Sequence, residues 1–189
     1  MRRAKHVYLV LAAALAVVFT VGSSSANALD IPGSSGVGGY AHITNGRSDL
    51  CLAVPGGSME PAAQLNQFTC GEWDDHFWVL QLAFTTDNGS RDWYTIQNQN
   101  SGMCLSVDAA RKDNFAPVTQ YPCGTPAPYI DQYWALNGKG MIENGKTIEG
   151  WGLENYNSGK CLAIKDGSTA NTAPAVQFDC GWHGDQIWY

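Results

Sequence analysis

Six cysteines are the residues of this sequence most able to do covalent or metal chemistry. They fall into three pairs whose members are nineteen residues apart: Cys51 and Cys70, Cys104 and Cys123, Cys161 and Cys180. Among the pairings that six cysteines allow, equal spacing favours the one in which each pair closes its own loop. Zinc binding is the alternative, but the sequence has neither CxxC pairs nor Cys/His clusters at zinc-ligand spacing. We therefore predict three disulfides, no metal and no cofactor.

Groups suited to catalysis are sparse. Beyond the amino-terminal segment the histidines are His42, His76 and His183, and no G-x-S-x-G or H-E-x-x-H motif is present. Asp74 and Asp75 are adjacent, and neighbouring strand residues point to opposite faces, whereas glycoside hydrolysis needs two carboxylates that face each other across a cleft. The sequence therefore predicts a binding protein without catalytic residues rather than an enzyme.

The cysteines belong to a longer unit that occurs three times. Each copy has an Asn six residues before its first Cys, continues through Cys-Leu and Gln-aromatic-x-Cys, and closes on an acid three residues before a Trp. The copies span about 40–90, 91–148 and 149–189, and the middle copy carries three extra residues within 125–130. Such internal repetition predicts three similar structural units.

The elements that must position these residues are β-strands. Short runs with alternating faces are separated by Gly and Pro, and no helical period is sustained after the amino-terminal segment. Each copy offers about four short strands, too few to bury a core alone, whereas three copies closed around one axis leave few exposed edges. The large apolar residues at matching positions should form the shared core: Leu52, Leu105, Leu162, Trp78, Trp134 and Trp188.

With its Gln-x-Trp ending, the unit resembles the repeat of the ricin B-type lectins, also called carbohydrate-binding module family 13. The resemblance extends over about Ala41 to Tyr189. It implies an all-β fold, a β-trefoil of three pseudo-symmetric repeats with one disulfide each, over residues 40–189. It also implies a lectin-like module that binds galactose- or xylose-type sugars in one shallow pocket per repeat.

The family's pocket combines a carboxylate directly after Cys-Leu, an aromatic two residues before the second Cys, and an acid before the Gln of Gln-x-Trp. The aromatic and the later acid occur in every copy, but Ala53, Ser106 and Ala163 replace the carboxylate. We expect acids in the following turns to compensate, although Asp is also an ordinary turn residue. The expected carbohydrate-binding residues are Asp108, Tyr121, Asp131 and Gln132 in the second copy, and Asp166, Phe178, Asp185 and Gln186 in the third. The first copy keeps Phe68 and Asp75 but has His76 in place of the Gln.

The missing carboxylate leaves a second function open, that of a protein-binding trefoil that acts as a protease inhibitor or as a subunit of a secreted assembly. Its expected contact loops are residues 81–92 and 125–130. Trp73, Trp182 and His183 could line a ligand groove or cover the end of a barrel, because aromatic rings suit sugars and protein partners alike.

The amino terminus predicts secretion. Arg2, Arg3 and Lys5 precede an uncharged run over residues 7–21 and a small-residue cleavage pattern at 26–28, which is typical of a signal peptide spanning 1–28. Such a run is short for a membrane span. A flexible lead-in is expected over 29–39, and the mature protein should be extracellular.

Charge narrows the choice of partners. The signal segment holds three of the eleven Lys and Arg, so eight basic residues face 17 acidic ones in the remaining chain, for a net charge of −9. A surface of this sign repels phosphate backbones and anionic lipids. We expect a glycan or polysaccharide partner, or a secreted protein, and neither nucleic acid binding nor membrane insertion.

Overall fold

All regular structure in the computed structural model, which describes residues 39–124 and 129–189, consists of β-strands and single turns of 3-10 helix. The all-β prediction is confirmed. The strands are β1 (Ala41–His42), β2 (Cys51–Ala53), β3 (Asn66–Phe68), β4 (Phe77–Thr86), β5 (Arg91–Asn98), β6 (Cys104–Val107), β7 (Val118–Tyr121), β8 (Trp134–Glu143), β9 (Lys146–Asn155), β10 (Cys161–Ile164) and β11 (Ala175–Phe178).

Several predicted segments lie outside the described residues: the signal peptide, nearly all of the lead-in, and residues 125–128 of the insertion. Residues 81–92, expected to form a contact loop, instead lie mostly in the long hairpin β4–β5. The reason is that Leu82, Phe84, Trp93 and Tyr94 continue the cross-strand pairing past a register shift. No helix within the described ranges is long and apolar enough to cross a membrane.

A closed ring of strands forms the body of the molecule. β1 pairs with β4, and the pairing continues through β5 and β8 to β9. Trp188 then bridges Trp151 of β9 on one side and Asn45, just beyond β1, on the other. Because the ring closes on itself, it leaves no continuous free edge for pairing with another chain.

Three short hairpins cap one end of this ring: β2–β3, β6–β7 and β10–β11. One disulfide holds each of them, which confirms the predicted pairs Cys51–Cys70, Cys104–Cys123 and Cys161–Cys180, with Cα atoms 5.0 Å apart. Single bridges join the hairpins to one another, namely Gln64 to Thr119, Asn66 to Pro174 and Pro117 to Val176. The three repeats therefore share one cap as well as one ring.

The core is the predicted one. The Leu that follows each first Cys and the closing Trp of each copy are at most 1% exposed. Each indole N–H also donates to the carbonyl of the Leu in its own repeat, at 2.9 Å for Trp78, 3.0 Å for Trp134 and 3.1 Å for Trp188. This bond satisfies the one polar atom of a large side chain that is otherwise ideal for burial.

Buried amides of the repeat motif join the copies to each other. Asn98 donates to the carbonyl of Asp75 in the preceding repeat at 3.0 Å, and Asn155 and Asn45 make the equivalent bonds to Asp131 and Asp185. Each bond fixes the backbone at the acid that closes a repeat. Most of the recurring Asn and Gln residues of the motif therefore have a structural role, because a buried amide group needs hydrogen-bond partners.

Candidate functional site: three pockets related by the repeat

A pocket lies at an equivalent place in each repeat, between the cap hairpin and the 3-10 turn that carries the closing acid. The first, second and third pockets, numbered by repeat, have cavity volumes of about 410, 370 and 210 Å³. Their floors come from equivalent strand positions: Ala53 with Asn66, Ser106 with Thr119, and Ala163 with Val176. The pockets are thus copies of one design with different side chains.

One side of each pocket is the turn that follows the Cys-Leu strand. Its middle residue has a left-handed backbone, with φ of 61° at Gly56, 49° at Ala109 and 56° at Asp166. Asp108 is the first residue of its turn, whereas Asp166 occupies the middle position, so the two acids are not equivalent. Both line their pockets, and neither carboxylate accepts a side-chain hydrogen bond from the described residues.

Two aromatic positions form the opposite side. The first is the predicted aromatic before the second Cys: Phe68, Tyr121 and Phe178. The second follows that Cys and folds back over the glycine beside it: Trp73, Tyr129 and His183. A Cβ on the underlying glycine would lie 2.2 Å from the Trp73 ring at Gly71 and 2.3 Å from the Tyr129 ring at Gly124. The absence of a side chain on the glycine therefore allows the ring to form a pocket wall. Trp73 and His183 line pockets, whereas Trp182 lines none of the three.

In the second pocket both aromatic rings are exposed. Tyr121 is 39% exposed and Tyr129 is 45% exposed. Their rings meet edge to face with centroids 5.7 Å apart. The two phenol rings thus form a corner that is open to solvent.

A neighbouring repeat supplies the remaining wall of every pocket. Thr172 lines the first pocket, Ala62 the second and Phe115 the third, and all three have a positive φ. In the third pocket, Phe115 packs on Phe178 with centroids 4.9 Å apart. These residues could not be predicted from the repeat motif, because they lie outside it and only the packing of one copy on the next brings them to the site.

The closing acid has a different environment in each pocket. In the second pocket the buried Asp131 accepts a hydrogen bond from the hydroxyl of Ser106, the residue in place of the family's carboxylate. In the third, burial raises the pKa of Asp185 even though Arg47 Nη1 lies 3.3 Å from its carboxylate.

The first pocket contains polar atoms that lack partners. His76 Nε2 lies 3.6 Å from the carboxylate of Asp75, while burial lowers the pKa of this imidazole below its ordinary value. His76 Nδ1 and Asn66 Oδ1 are buried without a hydrogen-bond partner among the described residues. Both residues line the cavity, so a ligand hydroxyl could satisfy either atom.

The glutamines of Gln-x-Trp hold the loops that carry the folded-back aromatics. Gln132 donates to the carbonyl of Pro122 and accepts from the amide of Gly124, both at 3.0 Å. Gln186 makes the same pair of bonds to Asp179 and Gly181. Their amide groups therefore position pocket walls. Of the expected site residues, Asp108, Tyr121 and Asp131 meet in the second pocket, and Asp166, Phe178, Asp185 and Gln186 meet in the third.

The repeat geometry agrees with a known family. The model of the ricin-type β-trefoil lectin domain-like family matches residues 19–121 and 130–189, which is most of the chain. The chain belongs to this family. No curated protein sequence matches it.

Solved structures show the same fold for this member of the ricin-type family. The designed three-fold symmetric protein ThreeFoil is 25% identical with a TM-score of 0.64, over 79% of this chain and 96% of its own. An exo-β-1,3-galactanase, 1,3Gal43A from Clostridium thermocellum, is 22% identical with a TM-score of 0.65, over 80% of this chain but 30% of its own. The C-half of an earthworm R-type lectin in complex with GalNAc is 11% identical with a TM-score of 0.54, over 79% and 95%. The predicted β-trefoil is confirmed.

Proposed function

We propose that this protein is a secreted carbohydrate-binding module without catalytic activity, and that the second pocket is its main site. The observation that carries this proposal is the corner formed by Tyr121 and Tyr129, which stands above the fixed carboxylate of Asp131. Membership of a lectin-type family, and the GalNAc bound by the earthworm lectin, favour the same role.

The corner suits a sugar because a pyranose has an apolar face and a rim of hydroxyls. The apolar face can lie on one phenol ring while the other ring closes the side of the pocket. Ser106 uses one oxygen of Asp131, and the other oxygen remains to accept from a sugar hydroxyl. Asp108 stands at the lip, where a further hydroxyl can reach it. By family resemblance, galactose- and xylose-type sugars are the first candidates.

The first pocket is the second candidate site. Trp73 is 55% exposed beside the cavity, and Asp75 and Asn66 offer acceptor oxygens within it. Two sites on one rigid body would bind a polysaccharide more tightly than either does alone, because the second contact becomes intramolecular.

Secretion and the absence of catalysis belong to the proposal. Three disulfides suit an oxidising extracellular compartment. The second pocket has no histidine to serve as a base for Ser106, so its polar groups suit binding rather than nucleophilic attack.

The test is a glycan and polysaccharide array probed with the folded, disulfide-bonded protein. We expect binding to galactose- or xylose-type ligands that Tyr121→Ala weakens. Trp182→Ala is the matched control, since Trp182 is 65% exposed and lines none of the three pockets. Equal signals from Tyr121→Ala and the wild type would remove the second pocket from the proposal, and a blank array would remove sugar binding.

A protein-binding trefoil is the second candidate function, and exposed apolar residues on the long hairpins favour it. Ile142 at the end of β8 is 74% exposed, and Leu82 in β4 is 60% exposed. If the array is blank, capture of secreted proteins by the wild type should be compared with capture by Ile142→Ser and Leu82→Ser. Loss of a captured protein in these variants would support this function.

A further inference from the structure

The third pocket differs from the other two because an arginine of the first repeat enters it. We propose that Arg47 closes this pocket, so that the protein presents two open sugar sites rather than three. This inference rests on the proposed function. It assigns a role to a residue that lies outside the repeat motif.

Arg47 occupies a position that is asparagine in the other repeats. Asn100 donates to the carbonyl of Gly57 at 2.9 Å, and Asn157 donates to the carbonyl of Ala110 at 2.8 Å. These bonds tie the start of one repeat to the pocket turn of the preceding one. Arg47 makes the equivalent bond to Gly167 at 3.1 Å. An asparagine is therefore sufficient for the hydrogen bond to the turn carbonyl. The guanidinium of Arg47 can make further contacts besides this bond.

The guanidinium of Arg47 also reaches the acid of the third pocket, through the same nitrogen that bonds to Gly167. Nη1 lies 3.3 Å from Asp185 Oδ1, and Nε and Nη2 donate to Glu143 at 2.9 and 2.6 Å. Glu143, the last residue of β8, thus holds the guanidinium against the pocket. A charge-assisted pair is stronger than a hydrogen bond to a neutral hydroxyl. A sugar would therefore have to compete with Arg47 for Asp185.

The surrounding backbone leaves room for this arginine. A Cβ on Gly167 would lie 1.9 Å from Arg47 Nη1, and one on Gly184 would lie 2.4 Å from Glu143 Oε2. The corresponding residues are Ala110 and Ile130 in the second repeat and Gly57 and Asp74 in the first, so only the third repeat has glycine at both positions. The third pocket also has the smallest cavity, about 210 Å³ against 410 and 370 Å³. Backbone, side chains and volume therefore all agree with a third pocket that Arg47 makes narrower than the other two.

Arg47→Asn tests the inference because it should allow a sugar to bind in the third pocket. The substitution keeps the hydrogen bond to Gly167 and removes the guanidinium from Asp185. The probes are galactose, N-acetylgalactosamine and xylose, followed through the ring resonances of Phe178 and His183. In the wild type we expect sugar-induced shifts in the first and second pockets and none at these two rings. In Arg47→Asn we expect shifts at the two rings as well. Arg111→Asn is the matched control, since it makes the same change at an exposed arginine outside the pockets.

Sugar-induced shifts at Phe178 and His183 in the wild type would overturn the inference. Unchanged resonances of these rings in a folded Arg47→Asn protein whose other pockets respond would also overturn it. If no pocket responds in either protein, the proposed function fails, and a sugar-free measurement decides the inference. Arg47→Asn should then increase the relaxation that a soluble nitroxide causes at the Phe178 ring, whereas unchanged relaxation would contradict closure. Arg47→Asn/Glu143→Gln repeats the test without an unpaired carboxylate, should the single variant fold poorly.

Discussion

The hydroxyl of Ser106 donates a hydrogen bond to the carboxylate of Asp131 on the floor of the second pocket. Ser106 stands where the family's repeat has an acid, and the other two pockets have Ala53 and Ala163 there, which cannot make this bond. The second pocket is therefore the one in which a side chain at this position fixes the closing acid. A fixed acceptor loses less entropy when a ligand binds.

Ser106→Ala should weaken sugar binding at the second pocket while leaving the fold intact. Without this bond Asp131 must be ordered when the sugar binds, which costs about 0.5–1.5 kcal/mol, so we expect affinity to fall by about two- to tenfold. Isothermal titration with the best sugar from the array measures this change. Ser58→Ala, which removes an exposed hydroxyl outside the pockets, should bind as the wild type does. Equal affinities for Ser106→Ala and the wild type would show that the Ser106–Asp131 bond is irrelevant to binding.

Gly124→Ala should impair the second pocket without altering any of its lining side chains. The new Cβ would lie 2.3 Å from the Tyr129 ring and would force the ring away from Gly124. We expect a weaker sugar interaction and changed chemical shifts for the Tyr129 ring. Gly138→Ala is the control, because its Cβ would meet Trp151 at 3.7 Å, an ordinary contact. Retained affinity in Gly124→Ala would argue against Tyr129 as a binding wall.

His76→Gln should make stability less sensitive to acid. Burial lowers the pKa of His76, so the unfolded chain takes up a proton at a higher pH than the folded chain does. The free energy of unfolding therefore falls as the pH drops below about 6.5, until the folded imidazole is also protonated. The variant lacks this group, and its glutamine can make the loop bonds seen for Gln132 and Gln186. Urea unfolding at about pH 7 and about pH 5 should show a smaller loss for His76→Gln. An equal loss in both proteins would exclude His76 as the cause.

Gln120→Ala should destabilise the whole trefoil, because this side chain links two repeats. Its amide donates to the carbonyls of Ser58 and Glu60 at 2.8 and 3.0 Å, and its oxygen accepts from Ser101 at 2.7 Å. Three partly buried hydrogen bonds contribute about 1 kcal/mol each, so we expect a loss of about 3 kcal/mol in the free energy of unfolding. Gln81→Ala, at an exposed glutamine on β4, should cost less than about 0.5 kcal/mol. A loss this small in Gln120→Ala would contradict a structural role.

The sequence was sufficient to predict the fold because its repeat carries the residues that build it. Equal spacing identified the disulfides, and matched positions identified Trp78, Trp134 and Trp188 as core. The pockets were predicted less fully, since their walls are shared between repeats. Phe115 and Arg47 reach the third pocket from other repeats, and no spacing within one copy indicates such contacts. Trp73 and His183 left two interpretations open until their rings were found folded over glycine.

The central claim is that the second pocket binds a sugar between two tyrosines and Asp131. The most direct measurement is a residue-resolved NMR titration of the folded, disulfide-bonded protein with galactose, N-acetylgalactosamine and xylose. The account predicts saturable shifts of the Tyr121 and Tyr129 ring resonances with at least one of these sugars, and their loss in Asp131→Ala. Unchanged Tyr121 and Tyr129 resonances at saturating concentrations of all three sugars would contradict it.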